Sequence, residues 1–126
     1  MESVPLLDHH YLNENYHQVG FSYLLPEILE LFRGQAAIHL KTIEQHLMQG
    51  NLHELAQEAH TLKGAAGSVG AAALAQLAKH VEETATDSDI AKVSQLVHAL
   101  RETTDQTTAA ITTELVRLGT GAEDLS

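Results

Sequence analysis

His60 and Lys63 are the residues of this chain whose types and spacing could do chemistry together. They stand three apart in the stretch 51–70, NLHELAQEAHTLKGAAGSVG. On a helix, residues three apart are neighbours on adjacent turns. A neutral imidazole is a nucleophile toward phosphorus or carbonyl centres, and a histidine with the ordinary pKa of about 6.5 is mostly neutral above pH 7. An ammonium one turn away can meet a phosphoryl oxygen as a point charge. The pair suits accepting a phosphoryl group, holding it and giving it up. Ser68, two turns further on, is a weaker candidate donor.

The sequence lacks the usual means of taking phosphate from a nucleotide. There is no GxxxxGK[ST] loop and no glycine-rich nucleotide fingerprint. No Ser-His-Asp or Cys-His set is legible, and the acidic residues are dispersed rather than clustered for Mg²⁺. A zinc site needs three or four convergent ligands. His39 and His46 are seven apart, as are His53 and His60. That is about 10 Å along a helix, so no metal site is expected in this chain. Nor does the chain hold the paired Glu-x-x-His motifs of di-iron bundles.

The element that must position the pair is a helix over the organising stretch 51–70. Leu52, Leu55, Ala59, Leu62, Ala66 and Val69 recur at spacings of three and four, a stripe about 100° wide. His60 points roughly 130° away from its centre, toward water, at 100° per residue. His53, Gln57, Gly64 and Gly67 share that outer face. Each glycine costs about 1 kcal/mol relative to alanine inside a helix. Core packing cannot explain them there. They read as clearance that lets another protein approach His60, with Gln57 and His53 as docking residues. The blander reading of Lys63 is a snorkelling helix lysine beside Glu58 or Gln57.

The remaining elements follow from punctuation and periodicity. Asp8 can cap a short helix over about 8–18, with Leu12, Tyr16 and Val19 as contacts, ended by Gly20. Ser22 reads as the N-cap of a long helix, 23–49, with Pro26 in its first turn and Gly50 at its end. Its apolar face is Leu24, Leu25, Ile28, Leu31, Phe32, Ile38, Leu40, Ile43 and Leu47. Asn51 and Glu54 make a capping-box-like start to the next helix, and Gly70 its end. A helix over 71–86 turns Leu74, Leu77, Ala78 and Val81 inward, with Gly70 before it as a cap. Asp87-Ser88-Asp89 is a turn. The last helix runs from Ile90 to about Leu118, and its polar middle, Thr103 to Thr108, invites a kink or fraying. The expected fold is all-α: an antiparallel up-down-up-down four-helix bundle with a short additional N-terminal helix. Residues 1–7 and 119–126 are expected to be tails around a bundle at 8–118.

Composition bounds the partners. With 17 acidic and 7 basic side chains in 126 residues, the formal net charge is −10. Nucleic acid and anionic membrane are disfavoured, and a basic docking surface is favoured. No apolar run reaches the roughly 18–20 residues of a membrane span, and no signal peptide is evident. The absence of cysteine fits a reducing, cytoplasmic setting.

His60 to Gly70, HTLKGAAGSVG, resembles the H-x-x-K-G signature of histidine-containing phosphotransfer (HPt) domains of bacterial phosphorelays. Leu6-Leu7-Asp8 and Leu25 to Phe32 resemble the family's entry into its first two helices, and the likeness spans about 8–118. It implies a helical bundle with one phosphorylated histidine and no kinase activity of its own. His60 would accept phosphate from a receiver-domain aspartate and pass it to a response-regulator aspartate. Lys63 would neutralise the phosphoryl group, Gly64 would clear space, and the receiver would bring Mg²⁺. The subfamily suggested by GAAGSVG is the C-terminal domain of a hybrid sensor kinase, on the cytoplasmic side of a membrane-bound protein. One docking face is most simply a monomer. A competing class is an interaction or dimerisation bundle in which His60 is never phosphorylated.

Overall fold

The computed structural model describes residues 4–119, and all regular structure among them is helical. Of the expected tails at 1–7 and 119–126, residues 1–3 and 120–126 lie outside the described residues, and Leu7 is no tail residue but is buried in the core. A short helix α1 (His9–Leu12) runs on into a π-helical turn, Asn13–His17. The four long helices are α2 (Leu25–Gln49), α3 (Leu52–Ser68), α4 (Ala72–Thr86) and α5 (Ile90–Arg117). Packing joins α2 to α3, α3 to α4, α4 to α5 and α5 back to α2. This is a closed four-helix ring, with α2 diagonal to α4 and α3 diagonal to α5. Short connections make neighbours antiparallel.

The core is aliphatic. Leu25, Leu29, Phe32, Ala36, Leu40 and Ile43 of α2 meet Leu55, Ala59, Leu62 and Ala66 of α3. From α4 come Leu74, Ala78, Val81 and Ala85, and from α5 Val93, Val97, Leu100 and Ile111. The expected face of α2 needs correction. Leu31 and Ile38 are 62% and 66% exposed, while Leu29 and Ala36 hold the core positions. The buried stripe steps strictly by threes and fours from Leu25 to Ile43, and Leu31 and Ile38 fall on the far side of it. Val19 is likewise exposed rather than a contact of the first helix.

Helix ends differ in detail. Asp8 caps α1 as expected, accepting from the Tyr11 N–H at 3.1 Å. Ser22 opens a 3₁₀ turn, Ser22–Leu24, and α2 proper starts at Leu25 without a side-chain cap. Gly50 closes α2 in the left-handed region, φ 73°. Asn51 occupies the N-cap of α3, but its side chain donates to Gln49 Oε1 at 3.1 Å instead of accepting from the helix. The middle of α5 does not fray. The helix is continuous for 28 residues. Thr104 and Thr107 are buried, and their hydroxyls donate to the carbonyls of Leu100 and Thr103 at 2.7 Å each. Bonding back to the preceding turn lets a hydroxyl enter a helical core.

The N-terminal segment braces the α3–α4 turn. Asp8 N–H donates to Gly70 O at 2.8 Å, and Ala73 N–H to Pro5 O at 2.9 Å. The Tyr11 and Tyr16 hydroxyls both donate to Ser68 O, at 3.2 and 3.1 Å. Gly70 is more than a cap. It has φ 73°, and a Cβ there would stand 3.1 Å from Tyr11 Cδ1 and 3.3 Å from Asp8 O.

Candidate functional site

Two antiparallel helices joined at a tight turn bring together residues equally far from that turn. Taking Ala71 as its centre, His60 of α3 falls opposite Glu82 of α4. His60 is 64% exposed, and its Nδ1 lies 3.0 Å from Glu82 Oε2. Lys63 Nζ donates to the other oxygen, Oε1, at 3.1 Å. One carboxylate thus joins the two residues that the sequence paired by spacing. Lys63 has neither Glu58 nor Gln57 as its ionic neighbour. Glu58 is engaged by His39 of α2, Nδ1 to Oε2 at 2.5 Å.

Glu82 governs the state of the ring. Partial burial pushes its pKa up, but hydrogen bonds and charge from Lys63 and His60 outweigh this and hold the carboxyl below its ordinary value. An ionised carboxylate can only accept. The proton of a neutral His60 therefore sits on Nδ1, leaving the lone pair on Nε2, which has no hydrogen-bond partner among the described residues.

The surroundings are open. His53, Gln57, His60, Thr61, Glu82 and Thr86 line a shallow depression of about 540 Å³. The Gln57 amide donates to His53 Nε2 at 3.3 Å. A Cβ added at Gly64 or Gly67 would meet no atom within 4 Å, so nothing within the chain requires either glycine. Ser68 turns its hydroxyl to Ala65 O at 2.7 Å and does not line the depression. Lys63 and Lys79 share an adjoining hollow with Glu82 and Glu83. Among the described residues no three His, Asp or Glu side chains are grouped to hold a metal ion.

Sequence reasoning missed Glu82. The signal was the equal distance of residues 60 and 82 from the turn at Gly70–Ala71, which only becomes usable once α3 and α4 are known to be direct neighbours. A depression this open to solvent does not enclose a small substrate. It can exchange a group with a reactive centre presented by another protein.

No curated protein matches the sequence. The fold is similar to the crystal structure of histidine-containing phosphotransfer protein B from Pseudomonas aeruginosa PAO1. The TM-score is 0.82, with 24% identity, over 91% of this chain and 98% of that one. The model of the Hpt domain matches residues 27–110, taking in α3 and α4 whole and most of α2 and α5. With the greater part of the bundle inside that match, this chain belongs to the Hpt domain family, the histidine phosphotransfer intermediates of phosphorelay signalling.

Proposed function

We propose that His60 is the phosphoryl carrier and that Glu82 and Lys63 are its two polar supports. The observation that carries this is the 3.0 Å contact of His60 Nδ1 with the Glu82 carboxylate, which in the neutral ring places the proton on Nδ1 and leaves the Nε2 lone pair free on an exposed face. In the forward step the Nε2 lone pair attacks the phosphorus of an aspartyl phosphate on a receiver domain. The N–P bond forms, the P–O bond to the aspartate breaks, and its electron pair leaves on the aspartate carboxylate. The ring then carries the phosphoryl group on Nε2 and a proton on Nδ1, and the positive charge this places on it is met by Glu82. Transfer onward reverses the sequence: a second aspartate attacks phosphorus, and the N–P electron pair returns to Nε2.

Lys63 leaves Glu82 Oε1 for a phosphoryl oxygen when the group arrives, since the incoming charge of about −2 competes with a single carboxylate. Gly64 and Gly67 let the receiver come close, with Gln57 and His53 at the rim of the contact. A Mg²⁺ ion on the receiver would supply charge neutralisation for the phosphoryl oxygens, which this chain meets from its own side with Lys63. The partners in this reading are the receivers of a hybrid sensor kinase and of a response regulator, in the cytoplasm. The HTLKGAAGSVG stretch supports the kinase context, and the net charge of −10 suits a basic docking surface. No helix among the described residues is long and apolar enough to cross a membrane. Each copy carries one such histidine and engages one receiver at a time.

Incubation with a phosphorylated receiver domain tests this reading. The chain is expected to acquire an acid-labile, base-stable phosphate, and His60→Gln to acquire none. Equal labelling of the two sinks it.

A further inference from the structure

A second bare stripe lies on the outer face of α2, away from His60. Leu31 and Ile38 are 62% and 66% exposed there, with Gly34 between them. A Cβ at Gly34 would meet nothing within 4 Å. The glycine costs about 1 kcal/mol in a helix interior, and the fold gains nothing from it. At 100° per residue Glu27, Leu31, Gly34, Ile38 and Lys41 fall within one stripe roughly 80° wide, opposite the buried positions of α2. Glu27 and Lys41 are exposed, and neither makes an ion pair among the described residues. They lie equally far from Gly34, on either side of it.

That symmetry fits one occupant. We propose that this stripe is the contact of a two-fold homodimer in which α2 packs antiparallel against α2 of a second copy, with Gly34 on the axis. An isologous contact must be self-complementary. With Gly34 at the axis, Glu27 of one copy faces Lys41 of the other, and the pair is made twice. Leu31 and Ile38 of both copies close around the two glycines, whose missing side chains let the backbones approach. The expectation of a monomer, drawn from one docking face at His60, leaves Gly34, Leu31 and Ile38 without a purpose. Because α2 lies diagonal to α4, the α3–α4 groove of each copy stays open, and one dimer offers two histidines. This assignment is independent of whether His60 carries phosphate.

The contact is short. Interfaces below about 1,200 Å² are typically weak and transient, so association is expected in the micromolar range. Sedimentation equilibrium over a wide range of concentration tests it. The wild type is expected to dimerise. Glu27→Lys and Lys41→Glu each place like charges across the axis, and each is expected to lower the association constant about tenfold or more. Mixed one to one, the two variants are expected to pair with each other, because every facing position is again opposite in sign. Gly34→Leu is expected to raise the melting temperature and abolish the dimer, which separates loss of contact from loss of fold. A wild type that stays monomeric throughout overturns the proposal. So does a dimer that neither charge change weakens, or a mixture that fails to recover association.

Discussion

Glu82 and His60 meet across the α3–α4 groove at 3.0 Å, carboxylate to Nδ1. This contact fixes which ring nitrogen is free. Glu82→Ala is expected to release the ring into tautomer exchange and to slow phosphoryl acceptance about tenfold, the scale of a lost hydrogen bond to a charged group, roughly 1.5 kcal/mol. Glu82→Gln keeps an acceptor oxygen without the charge and is expected to lie between. Nitrogen-15 NMR of the imidazole reads the tautomer directly. An unchanged Nδ1–H signal in Glu82→Ala removes Glu82 from its positioning role.

Gly64 separates stability from function. Its added Cβ would touch nothing, so Gly64→Ala is expected to stabilise the fold by about 0.4–1 kcal/mol through helix propensity and a less flexible unfolded chain. The same methyl stands where a receiver is proposed to come close. Denaturant melts should therefore move up while the rate of transfer from a phosphorylated receiver moves down. A variant that gains stability and transfers normally argues against clearance as the reason for the glycine.

The outward histidine was legible because His60 and the stripe from Leu55 to Ala66 lie on one helix, where period alone assigns faces. Helix ends at Gly50 and Asp89 were legible from residue type: one takes the left-handed region, and the other accepts from the Lys92 N–H at 3.2 Å. Glu82 was not, because its place depends on which helices are neighbours and in what register. Leu31 and Ile38 were assigned to the core because α2 is apolar over so wide an arc that composition alone does not rank its faces. Thr104 and Thr107 suggested weakness in α5, because bonds from hydroxyl to carbonyl one turn back leave no mark in a hydropathy pattern.

Acid should loosen the bundle through three carboxylates. The Arg101 hydrogen bonds hold Glu44 below its ordinary pKa despite some burial, joining α5 to α2 at 2.6 and 2.7 Å. Arg117 does the same for Glu114, whose side chain is 4% exposed. At Glu82 burial raises the pKa and the bonds from Lys63 and His60 more than reverse it. A group with a depressed folded pKa contributes its full stability above the unfolded value, about 4.3 for Glu, and loses it as pH falls through the folded value. Urea melts are expected to be insensitive to these groups from about pH 5 to 7 and to weaken steadily below about pH 4.3. Glu44→Gln should flatten that acid limb, and an unaltered slope would remove Glu44 from the account.

Gly70 is the position where the N-terminal segment and the α3–α4 turn compete for one volume. A side chain there must take φ 73°, and its Cβ would press on Tyr11 Cδ1 at 3.1 Å and on the Asp8 carbonyl at 3.3 Å. The left-handed conformation alone costs a non-glycine residue about 1–2 kcal/mol, and displacing Asp8 breaks its 2.8 Å bond to Gly70 O. Gly70→Ala is expected to destabilise the fold by at least about 1 kcal/mol and to free the N-terminal segment first. Because Tyr11 and Tyr16 both hold Ser68 O, limited proteolysis should cut within residues 5–20 of the variant before the bundle opens. His60 and Glu82 lie three turns from the turn, so the imidazole signal in Gly70→Ala should match the wild type. A loss of that signal at temperatures where the bundle is still folded would mean that the N-terminal brace sets the register of α3 against α4.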